Sequence, residues 1–403
     1  MGGRSWMFLT SLSALLAVVF ALSTSGANAQ TSHRIGANPQ AAKEWQFAVS
    51  GDSRNCGDLI MPAIAAGAAR HHAEFYWHLG DFRRISQPDN DILDEVDPKT
   101  GAPRHSISPD EYQTMVWDDF LRMQIGAFDE AHVPVFLGIG NHETISPKDR
   151  AQYIAKFGDR LDSPALKKQR LQDDPKAQQP QTYYHWIKDG VDFISLDNAT
   201  TDEFDKAEMT WLNRVLDRDR ADASIRSIVV GMHEALPDSL SNSHSMGASS
   251  QGLLSGRCVY KSLAKAQKQD HKNVYVLASH SHFYMDNIFD SDFWRKSGEL
   301  ILPGWIVGTA GAVRYRLPAN APKSARTDVY GYLLGTVNAG GQPGVIKFEF
   351  REIHKSKDEG EDFIPPDVWK RFLPDIVDAC FNDNKDMREA GTIAEPPDAG
   401  CPQ

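Results

Sequence analysis

VPVFLGIGNHE, residues 133–143, decides the reading of this chain. Val133, Val135, Phe136 and Leu137 are residues that suit a buried pleated surface. The glycines that follow close the run, so it predicts a short strand from Val133 to Ile139. Gly140-Asn141-His142-Glu143 comes directly after it. An amide, an imidazole and a carboxylate thus sit at the carboxyl end of a strand, the edge where α/β sheets collect their ligands.

Working outward, the same arrangement recurs on both sides. Trp45 to Ser50 reads as a strand followed by Gly51-Asp52-Ser53-Arg54, and Phe75 to Leu79 as one followed by Gly80-Asp81. Downstream, Ile225 to Met232 ends at His233, and Val274 to Ala278 is followed by Ser279-His280-Ser281-His282. Alone, each Gly-Asp is an ordinary turn, and each histidine an ordinary strand-end or surface residue. Five polar clusters, each just past a strand, form a set that chance turns do not explain. Asp, Asn and His together suit Zn²⁺, Mn²⁺, Fe or a similar divalent ion. His-x-His on an extended chain puts both rings on one face; on a sharply bent chain the rings serve two neighbouring metals.

In this order the clusters resemble the signature of the calcineurin-like metallophosphoesterases: an Asp motif, Gly-Asp, Gly-Asn-His-[Asp/Glu], a lone His, then His-x-His. The resemblance spans about residues 45–315. Trp211-Leu212 before the lone His and Gly308-Thr309-Ala310-Gly311 after the pair also resemble family features. It implies an α/β fold, a four-layer α/β/β/α sandwich with two facing mixed β-sheets. It implies two divalent metal ions. Asp81 would bridge them, Asp52 and His282 would hold the first, and Asn141, His233 and His280 the second. A metal-bound hydroxide would attack phosphorus. His142 would protonate the leaving oxygen or stabilise phosphoryl charge, with Glu143 orienting its ring.

The chain departs from the family at two places. Arg54 stands where many members have His, two residues after the first Asp. Arg84 stands where the purple acid phosphatase branch has Tyr, three residues after the second Asp. A guanidinium stays protonated and cannot ligate. Arg54 is therefore expected to grip a substrate phosphate or pair with a carboxylate, Asn55 or water to complete the first metal's shell, and that site to be weak or empty.

The remaining organisation is expected as follows. Residues 1–29 read as a signal peptide: Arg4, an apolar run from Met7 to Leu22, and the Ala27-Asn28-Ala29 cleavage box. A leader at 30–44, the catalytic domain at 45–356 and a polar tail at 357–403 follow. No later run reaches the ~18 apolar residues of a membrane span. Helices are expected at Asp58 to His72 with Asp58 as N-cap, after the Ser108-Pro109-Asp110-Glu111 capping box, from Ser146-Pro147, and at Asp205 to Leu216. Tyr183 to Ile187 and Val191 to Leu196 form a hairpin turned at Asp189-Gly190. Arg83 to Ile107 is expected to rim the site, and the Ser- and Gly-rich loop Ser239 to Gly256, which carries His244, to be a flexible cover. His71-His72 read as a helix end rather than ligands.

Of the three pairings open to four cysteines, Cys380–Cys401 is favoured because it closes a short loop, which leaves Cys56–Cys258. No Cys-x-x-Cys suggests structural zinc, and His233-Glu234 lacks the second His of a zincin helix. The net charge of −11 argues against duplex nucleic acid or an anionic membrane face as partner. The expected function is exported hydrolysis of a small phosphomonoester or phosphodiester. The alternative is a non-catalytic relative that binds a phosphorylated ligand.

Overall fold

Alternation along the strands builds this molecule in layers. In a computed structural model, residues 42–89, 108–199, 203–382, 384–385 and 401 are described. The signal peptide and most of the leader, positions 90–107 of the expected rim, and most of the tail beyond 385 lie outside the described residues. No described helix is long and apolar enough to cross a membrane.

The strands, in chain order, are β1 Trp45–Ser50, β2 Ala73–His78, β3 Val135–Leu137, β4 Tyr184–Lys188, β5 Val191–Ser195 and β6 Ser227–Gly231. There follow β7 Asn273–Ala278, β8 Tyr284–Asp286, β9 Gly304–Val307, β10 Arg314–Tyr315, β11 Tyr330–Val337 and β12 Ile346–Ile353. One sheet runs β12-β11-β1-β2-β3 and the other β4-β5-β6-β7-β9-β8. Both are mixed. β1–β2–β3 and β5–β6–β7–β9 are parallel, and the outer pairs are antiparallel.

Side chains of a strand alternate between faces. Phe47 and Val49 of β1, Phe75 and Trp77 of β2, Phe193 of β5, Val229 of β6 and Leu277 of β7 pack into one inner core. Their neighbours Ala48 and Tyr76 point instead into a core with the helices Gly57–Arg70, Pro109–Phe120 and Arg150–Leu161. Ile194, Ile228, Val230 and Val276 join a third core with the helices Lys206–Ala221 and Ser250–Lys268. Two sheets each buried on both faces make the expected α/β/β/α sandwich. Its inner layer is mostly aromatic: Phe136 stacks on Trp186 at 4.0 Å, and Phe47 meets Phe193 edge-on at 5.1 Å.

Several local expectations are corrected. The first helix begins at Gly57, and Asp58 is not its cap. Asp58 is drawn to the buried Arg83, which also binds Asp119 at 2.9 Å. The helix expected at Ser146-Pro147 begins at Arg150, where Asp149 accepts a hydrogen bond from Gln152 N. Ser108 does cap its helix, and Asp189 and Gly190 both take positive φ in the β4–β5 turn.

The Ser239–Gly256 segment is not a loose cover. Ser239 bonds Ser245 at 2.6 Å, Ser241 bonds Ser281 at 2.7 Å, and from Ser250 the chain is helix. Its serines act as local caps and ties, which composition alone reads as flexibility. From 357 to 382 the expected tail is part of the body: Val368, Phe372, Val377 and Cys380 are buried against the first helix layer.

The disulfides are Cys56–Cys380 and Cys258–Cys401, with Cα atoms 6.0 and 5.4 Å apart. Both differ from the pairing favoured on loop length. The helix Pro374–Asn382 docks beside Cys56, so proximity in the fold, rather than along the chain, selects the partner.

Candidate metal centre

Every cluster singled out in the sequence sits at the same edge of the two sheets, and the local backbone explains why. Asp52, Asp81 and His280 each follow a strand and each take a left-handed backbone, φ 61°, 60° and 63°. That conformation costs a non-glycine residue roughly 1 kcal/mol or more and gathers at functional sites. Here it turns each side chain off its strand toward the gap between the sheets. Gly80 and Gly140 permit the crossing. A Cβ on Gly140 would lie 2.4 Å from both Asp81 N and its Oδ1. Asp81 and Asn141 are brought together because neither glycine has one.

Four donor atoms converge at this crossing. His233 Nε2 lies 3.0 Å from Asn141 Oδ1, 3.0 Å from His280 Nδ1 and 3.3 Å from Asp81 Oδ1. His233 Nδ1 donates to the Leu79 carbonyl at 3.0 Å, which leaves Nε2 as the free lone pair. An imidazole held by its other nitrogen against a backbone carbonyl is the usual support of a metal-ligating histidine. Asp81, His233 and His280 form a compact, buried group with the spacing of metal ligands. Two nitrogens and two oxygens suit Zn²⁺, Mn²⁺ or Fe²⁺. The residues present therefore fit one divalent ion.

Electrostatics point the same way. Burial pulls the His233 ring down, but Asp81 and Asp52 more than offset this and hold it up to about 10. Burial raises the Asp81 carboxyl, yet His233, His142 and Arg54 bring it well below the usual carboxylate range. Burial and the neighbouring His233 push His280 well down, so its ring is neutral and carries a lone pair. The Asp81 and Asp52 carboxylates thus make this a place that favours positive charge.

The other half of the centre differs. Asp52 Oδ2 accepts from His280 N at 2.6 Å and from the Ser279 hydroxyl, while Oδ1 lies 3.1 Å from His282 Nε2. His282 Nδ1 donates to the Val313 carbonyl at 2.7 Å, so its Nε2 also faces inward. The sharp bend at His280 thus sends the two rings of His-x-His to different places. Between Asp52, Asp81 and His282 lies Arg54. Its guanidinium donates to His282 Nε2 at 2.9 Å and to His142 Nε2, with Nε 3.8 Å from Asp81 Oδ2.

The layer order, the strand-end placement and the order of the donors resemble those of the calcineurin-like metallophosphoesterases. No protein-family model matches this chain and no curated protein does. Among solved structures it is similar to PhoD, at 15% identity over 78% of this chain and 70% of that one, with a TM-score of 0.48. It is also similar to a purple acid phosphatase from yellow lupin (Lupinus luteus) seeds, at 12% identity, 81% and 55% coverage and a TM-score of 0.47. The chain spans little more than half the length of that enzyme. A dimetal phosphatase from Danio rerio is similar at 11% identity, 76% and 96% coverage and a TM-score of 0.44.

Two supporting residues of the candidate site take places other than expected. Glu143 does not orient His142. Its Oε2 accepts from Asp81 N and Gly140 N, both at 2.8 Å, and its Oε1 from Phe82 N at 2.9 Å. It is the clamp that holds the crossing together. Asn55 turns away from the metals: its carboxamide oxygen accepts from Val313 N at 3.2 Å. His142 is fixed through its backbone N–H to Asp81 Oδ1 at 2.9 Å. Burial, then the charge of Arg54 against that of Asp81, sets its ring at about 4.

His244, carried by the loop expected to cover the site, does lie beside it, and Tyr315 joins it without a sequence signal. Tyr315 stacks on the His282 ring at 4.0 Å, and His244 lies 5.3 Å from the ring of His280. Only its neighbours in space, reached from β10, mark Tyr315. Elsewhere, a cavity of about 890 Å³ between the helices Pro164–Asp173 and Lys206–Ala221 holds none of these groups.

Proposed function

We propose that this chain is an exported, metal-dependent phosphoric ester hydrolase. The observation that carries this reading is the convergence of Asp81 Oδ1, Asn141 Oδ1, His233 Nε2 and His280 Nδ1 beside two nitrogen-bearing side chains, Arg54 and His142. A divalent ion held by those four residues would supply Lewis acidity toward a phosphoryl oxygen.

The chain's own residues do the rest. Asp81 and Asn141 are fixed by Glu143 and cannot follow the substrate, so the donors are preorganised. The Arg54 cation and the neutral His142 ring form the rim, with side chains 12% and 13% exposed. His142 Nε2 accepts from Arg54, so the proton resides on Nδ1. That atom is buried and has no hydrogen-bond partner among the described residues. The ring's Nε2 is turned to the Arg54 guanidinium at the rim. Export is supported by the leader sequence and by paired cysteines, which belong to oxidising compartments. The substrate is a small phosphomonoester or phosphodiester.

The test compares p-nitrophenyl phosphate with bis-p-nitrophenyl phosphate on the purified chain with Mn²⁺ or Zn²⁺, beside Asn141→Ala. Turnover of either ester that the substitution abolishes supports the reading. Tight phosphate binding with no turnover would favour the alternative of a binding protein.

A further inference from the structure

The three side chains expected to hold a first metal, Asp52, Asp81 and His282, are buried around the Arg54 guanidinium. Asp52 Oδ1 and Asp81 Oδ2 are both buried without a hydrogen-bond partner. A cation belongs between them, and the chain supplies one. Arg54 places a guanidinium nitrogen 2.9 Å from His282 Nε2 and Nε 3.8 Å from Asp81 Oδ2.

The His282 lone pair cannot serve twice. Its Nδ1 is committed to Val313, so Nε2 either accepts from Arg54 or binds a metal at about 2.0–2.1 Å. Arg54 cannot give up its proton to become a ligand. Nor is its backbone free to withdraw. Asn55 has a left-handed φ of 70°, its N–H donates to Asp89 at 2.8 Å, its carboxamide is tied to Val313, and Cys56 is bonded to Cys380. The residues present do not fit a metal at this position.

We infer that the Arg54 guanidinium is the built-in cation of the first position, so that the centre takes one metal ion instead of two. This rests on the hydrolase reading for its meaning, but not for its test. The single ion is held by Asp81, Asn141, His233 and His280. The guanidinium supplies the second positive charge and fixes His142 through Nε2.

Mn²⁺ is the probe. The full chain is loaded with excess Mn²⁺, desalted, and examined by metal analysis and electron paramagnetic resonance. The expected result is one Mn²⁺ per chain with the resolved hyperfine pattern of an isolated ion. Arg54→His restores the family's ligand and is expected to take a second ion, with an exchange-coupled spectrum. Arg54→Gln, which removes the charge and shortens the side chain, is expected to take the second ion more weakly. Two coupled ions in the unaltered chain would overturn the inference. So would a single ion in both variants once circular dichroism shows them folded. Absence of ester turnover with one ion bound would sink the hydrolase reading and leave the metal count standing.

Discussion

Glu143→Ala tests how the site is held. Glu143 is fully buried, and its two oxygens accept from three backbone N–H groups, those of Asp81, Phe82 and Gly140. Alanine leaves all three without an acceptor. A buried polar group left unsatisfied costs about 1–3 kcal/mol, and water entering the vacated space recovers part of that. The expected loss is about 3–5 kcal/mol of unfolding free energy. Glutamine keeps one carbonyl oxygen for Asp81 and Gly140 and turns its NH₂ toward Phe82 N, so it should lose about 1–3 kcal/mol. Urea denaturation of metal-free protein measures both. Because the clamp positions Asp81 and Asn141, metal affinity in Glu143→Ala should also fall, by roughly 10–100-fold. A loss below about 1 kcal/mol with unchanged metal affinity would refute the clamp.

Other expectations concern the same framework. A Cβ on Gly308 would lie 2.4 Å from the Ser281 carbonyl and 2.8 Å from Asp52 Oδ2, so Gly308→Ala should cost about 1–3 kcal/mol and lower Tm, read by calorimetry. Peptide mapping without reduction should recover Cys56 linked to Cys380 and Cys258 linked to Cys401. Losing the Cys56–Cys380 link should cost about 2–5 kcal/mol. Burial lowers His185, but Asp192 and Asp173 outweigh it and raise the ring to about 9. Its stabilisation is therefore full below its ordinary value of about 6.5 and is lost as pH rises toward 9, a few kcal/mol at most. Thermal melts between pH 6 and 9 should show that decline, and His185→Gln should flatten it.

The strands were legible because their alternation is strong. Phe47 and Ala48, or Trp77 and Tyr76, each sort by face, and those faces became separate cores. The gathering of Asp52, Asp81, Asn141, His233, His280 and His282 at one edge was legible because each lies just past a strand. What each supporting side chain binds was not. Glu143 serves three peptide groups that only the Gly80–Gly140 crossing brings within reach. At Asp52, Asp81 and His280 the left-handed residue is not itself a glycine, so the turn of the side chain is not announced. Tyr315 reaches His282 from β10, a pairing without a sequence period. The disulfides were misjudged for the same reason: loop length along the chain says little about a helix that folds back onto Cys56.

Metal-restored turnover tests the central claim most directly. The chain would be stripped with chelator, shown inactive, then titrated with Mn²⁺ or Zn²⁺ while hydrolysis of both p-nitrophenyl esters is followed. The account expects hydrolysis of at least one ester to return as metal binds, and no recovery in Asn141→Ala. Metal binding at Asp81, Asn141, His233 and His280 with no hydrolysis of either ester would contradict it.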